Sequence, residues 1–137
     1  MTSTLTNRPR VALIAAMLAL TASLMFVSVS GAATISGSSK GLTATMHVGT
    51  HHPTVGREWP LQFTATRSGR PANVTVTYEF LFNGKVVAVR AHHTFTGHYS
   101  DALVFPANAV HEPLTFRAVI AAGATTINLD YAIEVIK

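Results

Sequence analysis

Residues 72–91 read ANVTVTYEFLFNGKVVAVRA, two alternating runs joined by Asn83-Gly84. Asn-Gly between apolar alternations is the strongest short-range hairpin signal, because a type I′ turn needs positive φ at both central residues. A two-residue loop sets the register: Phe82 opposite Lys85, Leu81 opposite Val86, Phe80 opposite Val87, Glu79 opposite Ala88, Tyr78 opposite Val89 and Thr77 opposite Arg90. In that register Val74, Val76, Tyr78, Phe80 and Phe82 share one face with Val87 and Val89, while Asn73, Thr75, Thr77, Glu79 and Arg90 take the other. A slip of one residue would mix the two sets. The hairpin therefore has a core side and a wet side, and the core side requires a second layer.

Alternation continues on both sides of this hairpin. Upstream, Leu42, Ala44, Met46 and Val48 alternate with Thr43, Thr45 and His47, and Trp59, Leu61, Phe63 and Ala65 alternate with Pro60, Gln62, Thr64 and Thr66. A Gly-, Pro- and His-containing loop, residues 49–58, separates those two strands, and residues 67–71 (RSGRP) form a turn into the hairpin. Downstream, residues 92–105 read as one or two short strands broken at Gly97, and residues 106–113 as a loop bracketed by prolines. Two more alternating runs follow, through Leu114, Phe116, Ala118 and Ile120 and through Ile127, Leu129, Tyr131, Ile133 and Val135. Beyond the N-terminal segment no window has helical periodicity. Seven to eight short strands at spacings of roughly 8–12 residues predict an all-β, antiparallel two-sheet sandwich.

The first 33 residues follow a different plan. Arg8 and Arg10 lie in a polar start, residues 11–29 are uncharged and mostly apolar, and Ser30-Gly31-Ala32-Ala33 is small throughout. This is the three-part pattern of a secretory signal peptide, read as a helix over residues 1–33 with cleavage after Ala33. Nineteen apolar residues also approach bilayer-spanning length, so the alternative is an uncleaved anchor through residues 11–29. Either way the flanking positive charges stay inside, and the domain is expected to be secreted or extracytoplasmic. The expected organisation is a signal segment or anchor (1–33), a Ser/Gly linker (34–41) and one sandwich domain (42–137).

Composition narrows the functional classes. The chain of 137 residues carries a formal charge of +4, but from residue 34 onward eight Lys/Arg face six Asp/Glu. With no basic run and no aromatic platform in a charged groove, a nucleic-acid partner is not expected. The chain has no cysteine, which excludes a thiol nucleophile, a Cys-ligated metal and a lipid-anchored lipoprotein.

One resemblance rests on Gly56-x-x-Trp59-Pro60-Leu61, the Ser68-Gly69-Arg70-Pro71 turn, and Val76-Thr77-Tyr78-Glu79-Phe80-Leu81-Phe82 closed by Asn83-Gly84. This grammar, including the Gly-x-Pro turn at residues 69–71, resembles secreted bacterial immunoglobulin-like domains over residues 42–137. The resemblance implies an immunoglobulin-like sandwich serving as a stalk or accessory module, without shared catalytic residues. The cysteine pair of antibody domains is missing.

Chemistry-bearing residues are few. Gly37-Ser38-Ser39-Lys40-Gly41 matches the G-x-S-x-G pattern, but a nucleophile elbow needs a buried strand before the serine and a helix after it. Asp130 and Glu134 share a strand face about 13 Å apart, farther than the roughly 5–10 Å of paired glycosidase carboxylates. Glu79 and Arg90 are expected to form a weak pair on the wet face of the hairpin. Asp101, His98 and Ser100 lie too close on one short strand to converge as a triad. Trp59 is expected in the core. The chain is therefore not expected to be an enzyme.

The seven histidines, His47, His51, His52, His92, His93, His98 and His111, are the unusual feature. Histidine is the commonest extracytoplasmic ligand for copper and zinc, and a site built from His51, His52, His92, His93 and His98 would need the 49–58 loop to approach the strand after the hairpin. Adjacent histidines in a strand point to opposite faces, so each pair offers one ligand to a given site. Protonation of the seven would also make the domain a pH sensor. Two expectations follow. The first is a non-catalytic interaction or structural module without cofactor, exported to the cell surface or medium, with a protein or glycan partner. It would touch the membrane only through an uncleaved N-terminal segment. The second is an extracytoplasmic copper- or zinc-binding accessory protein.

Overall fold

The computed structural model describes residues 32–137. The expected signal helix lies outside the described residues, apart from its last two positions. Nine strands follow: β1 (Ala33–Ser39), β2 (Leu42–Val48), β3 (Glu58–Arg67), β4 (Arg70–Pro71), β5 (Asn73–Phe82), β6 (Lys85–Thr96), β7 (His98–Val104), β8 (Pro113–Ala122) and β9 (Thr125–Glu134). A single 3-10 turn, Ala107–Ala109, sits between β7 and β8.

The strands form two antiparallel sheets. In the first, β1, β2 and β3 lie side by side, and β4 and β7 both pair with the far edge of β3. In the second the order is β6-β5-β8-β9. β2, β3, β5, β8 and β9 alternate buried residues with more exposed ones, as a half-buried strand must. In β3, for example, Trp59, Leu61, Phe63 and Ala65 are buried, and they face the buried Tyr78, Phe80, Phe116 and Tyr131 of the second sheet. Trp59 ties the two layers together, with ring centroids 5.4 Å from Phe116, 5.6 Å from Phe105 and 6.2 Å from Tyr131. Its Nε1–H donates to the Thr50 carbonyl at 2.9 Å.

The central turn forms as the Asn-Gly pair requires, with φ of 49° at Asn83 and 75° at Gly84. Phe82 pairs with Lys85 and Leu81 with Val86, as expected. Beyond those two pairs the register departs from the sequence expectation. Val87 bulges, Phe80 pairs with Ala88, Glu79 with Val89 and Tyr78 with Arg90. Paired residues project on the same face, so Ala88 and Arg90 project on the side of Phe80 and Tyr78, though both stay exposed at the sheet edge, while Val89 projects from the other side. A second irregularity follows between Arg90 and His93, after which His93, Thr94 and Phe95 pair with Val76, Thr75 and Val74. The placement of Val87 and Val89 in the core is thus corrected: they are 58% and 60% exposed.

Residues 34–41 are also not a linker. Thr34 to Ser39 belong to β1, joined to β2 by a tight turn at Lys40-Gly41. A Ser/Gly composition reads as flexible chain, but its alternate hydroxyls meet those of β2. Ser36 lies 2.9 Å from Thr45, Ser38 lies 2.9 Å from Thr43, and Thr34 donates to or accepts from His47 Nδ1 at 2.7 Å. The other face of β1 lies on β9, where a Cβ at Gly37 would come within 2.7 Å of Ile127. Glycine there permits the close approach that shuts this side of the sandwich.

Candidate functional site: the open seam between β6 and β7

The two sheets leave unlike sides. One side is closed by β1 against β9. On the other, β6 ends the second sheet and β7 borders the first, and the chain crosses between them at Gly97. Two features occupy this seam.

The first is a polar clasp. Asp101 faces inward from β7 and accepts a hydrogen bond from the Tyr78 hydroxyl at 2.8 Å, while its second oxygen accepts the backbone N–H of Ala102 at 2.8 Å. His93 Nε2 lies 3.8 Å from the same carboxylate, and the His93 ring stacks on Tyr99 at 5.2 Å. The clasp links β5 and β6 to β7 and satisfies a phenol that is 1% exposed, which matters because a buried unpaired hydroxyl costs about 1–3 kcal/mol. Burial first, and the Asp101 bond and charge second, push the Tyr78 phenol far above its usual range. Tyr99, by burial and Asp101, and Tyr131, by burial, are raised as well.

A pH dependence follows from these shifts. Above pH about 10 the unfolded chain loses phenolic protons that the folded chain keeps. The folded state then holds more protons than the unfolded one, so this contribution is intact below pH about 10 and is lost as pH rises further. Tyr78 alone contributes a slope of at most about 1.4 kcal/mol per pH unit. Urea midpoints between pH 8 and 11.5 are expected to fall more steeply for the native chain than for Tyr78→Phe, and equal slopes would contradict the assignment.

The second feature is an apolar groove of about 350 Å³ at the Asn83-Gly84 end of the seam. Phe80, Phe82, Phe105, Pro106, Ala109 and Leu114 form its floor and far wall, and Val87, Ala88 and Arg90 of β6 form its rim, with Glu112 also at its margin. A pocket of this size and apolar character with a few polar groups is the usual form of a binding site. Along the rim, the edge strand exposes Val86 (46%), Val87 and Val89. Arg90 has no ion-pair partner among the described residues. The expected Glu79–Arg90 pair is corrected here. The bulge turns Arg90 to the inner face, and Glu79 instead lies beside Arg117, whose guanidinium makes a two-point contact with Asp130 at 2.7 and 2.9 Å.

The histidines named from the sequence fall in separate places. His51 stacks on Tyr131 with centroids 4.1 Å apart, and its Nδ1–H donates to the Ala132 carbonyl at 2.6 Å. His52 is exposed in the same loop, at the margin of a shallow cleft with Glu134. His92 lies within the second irregularity of β6, and His93 joins the clasp. His98 opens β7 opposite Thr64 and contacts Ser100 at 3.3 Å. Among the described residues, no three or more His, Cys, Asp or Glu side chains gather as a metal-ligating group. Ser38 and the Asp101, His98 and Ser100 set also lie apart. Ser38 lies on an edge strand followed by a β-turn, and strand alternation turns Asp101 away from His98 and Ser100.

Sequence reasoning missed Arg90 and the Tyr78–Asp101 clasp. One signal for the first was present: Val86-Val87-Ala88-Val89 is a four-residue apolar run, a break in alternation of the kind a bulge produces. No family model, curated protein or solved structure matches the chain.

Proposed function

We propose that the protein is an exported, non-catalytic interaction module of the cell surface or medium, built on an immunoglobulin-like sandwich, that holds a protein partner at its β6 edge. The observation that carries this reading is the edge itself. Every other long strand buries alternate residues, yet the first half of β6 exposes three valines beside an apolar groove. Exposed edge strands are templates for association unless they are covered, and contiguous apolar surface on a soluble domain marks an interaction site. The order β2-β3-β7 facing β6-β5-β8-β9 supports the immunoglobulin-like reading, since two Greek-key sheets with a strand crossing between them are its architecture. Export is supported by the charge, apolar and small-residue pattern of residues 1–33.

The test is made in the producing cell with a photoreactive phenylalanine derivative at Val87 or, as a control, at Thr64 on the outer face of the first sheet. A discrete adduct of one mass at Val87, absent at Thr64 and recovered from outside the cytoplasmic membrane, is expected. Equal labelling at both positions, or none, would remove β6 as the interacting edge. Retention of the chain in the cytoplasm would remove export.

A further inference from the structure

We propose that the groove beside β6 receives an extended protein segment carrying a carboxylate that pairs with Arg90. This rests on the reading of β6 as the interacting edge and names what the edge selects. The two irregularities of β6 reverse only the short stretch between them, from Ala88 to Arg90. Their combined effect is to place Arg90, still exposed, at the rim of an aromatic groove and to leave Val89 60% exposed. Val89 forgoes burial in the free domain, and Arg90 holds its charged head in water beside aromatic rings, where it is open to an anionic partner. Bulges commonly re-aim a side chain at a functional site, and here the re-aimed group is a guanidinium without a carboxylate partner among the described residues.

The choice of occupant follows from charge and from which faces are apolar. A second copy paired antiparallel about a two-fold axis between Val87 and Ala88 would set Lys85 directly opposite Arg90 of the other copy, and like charges directly opposite are destabilising. A small amphiphile in the groove would cover the inner face alone and leave Val86 and Val89, on the outer face, in water. An extended segment along β6 sends alternate side chains to both faces and so covers both. The bulges, with Lys85 and Arg90 flanking the valines, blunt the edge against indiscriminate pairing. Selection therefore falls to the ion pair, where guanidinium and carboxylate meet in two-point geometry.

The test uses the full chain and three labelled, acetylated hexapeptides of alternating valine and threonine that differ in one residue: aspartate, asparagine or lysine. The aspartate peptide is expected to bind at least about tenfold more tightly than the asparagine peptide, as one charge-assisted contact requires. Arg90→Glu should reverse the order in favour of the lysine peptide without changing the melting temperature. Equal binding of all three peptides, still weakened by Val87→Asp, would overturn the role of Arg90 while leaving β6 as the interacting edge. No binding of any peptide would overturn the extended-segment occupant, and the photo-adduct at Val87 would then stand or fall independently. Displacement of the aspartate peptide by equimolar laurate would replace the segment with an amphiphile. Sedimentation of the free chain as a dimer lost in Arg90→Glu would replace it with a second copy.

Discussion

Replacement of Trp59 by alanine is expected to lower stability by about 3–5 kcal/mol, the range for deleting a large buried aromatic side chain. Trp59 is 2% exposed and touches Phe105 after β7, Phe116 of β8 and Tyr131 of β9. The cavity would therefore open where both sheets meet, and neither sheet can collapse into it without moving the other. The indole also holds the β2–β3 loop, through the bond from Nε1–H to the Thr50 carbonyl. For a domain of about 100 residues each kcal/mol shifts the melting temperature by roughly 4–8 °C, so thermal melts should show a loss of more than about 12 °C. Trp59→Phe keeps most of the ring and loses the donor, and it should fall between the two. A Trp59→Ala melt within about 4 °C of native would mean that the indole is peripheral.

Gly97→Ala is the second large effect. Gly97 is where the chain leaves the second sheet and enters the first. Its N–H donates to the Ala72 carbonyl at 3.0 Å, and its carbonyl accepts the Ala65 N–H at 2.9 Å. Its φ is +75°, and a Cβ there would stand 2.9 Å from Pro71 Cβ. Left-handed backbone costs an alanine about 1–2 kcal/mol, and forcing atoms into a packed contact adds about 1–3 kcal/mol. The crossover cannot relax to relieve the contact without breaking the two backbone bonds. Gly69 supplies the comparison, with φ +76° and nothing near the position of its Cβ. Gly69→Ala should show the backbone cost alone, so the difference between the two urea midpoints measures the contact with Pro71. Equal losses would place the whole effect in φ.

Most of the fold was legible because its signals are local. Asn83-Gly84 specifies its turn through φ, and the 2-residue period of Leu42–Val48, Trp59–Ala65, Leu114–Ile120 and Ile127–Val135 places each run on one face of a sheet. The break at Gly97 was visible for the same reason. β1 was hidden because its apolar content is only Ala33, Ile35 and Gly37 on the inner face. A strand so poor in apolar residues is stable only where β2 supplies hydroxyl partners and β9 a surface, and neither is written in residues 33–39.

The candidate site was less legible. Histidine count suggested a common centre, but the five are divided between the β2–β3 loop (His51, His52), β6 (His92, His93) and β7 (His98), and sequence spacing does not encode which sheet a residue faces after a crossover. Asp101 was visible only as a neighbour of His98 and Ser100, whereas its contacts, Tyr78 and His93, lie on the other sheet.

What the sequence determined by itself is the set of strands, the hairpin turn and the division of most strands into a core face and a wet face, because each depends on backbone conformation or a two-residue period. The tertiary structure alone decided the register past Val87, the closing of one side by β1 and the placing of Arg90 at the rim of the groove. A bulge reverses the side chains beyond it until a second one restores the alternation, and only the packing of β5 against β8 and of one sheet against the other determines where the chain makes them.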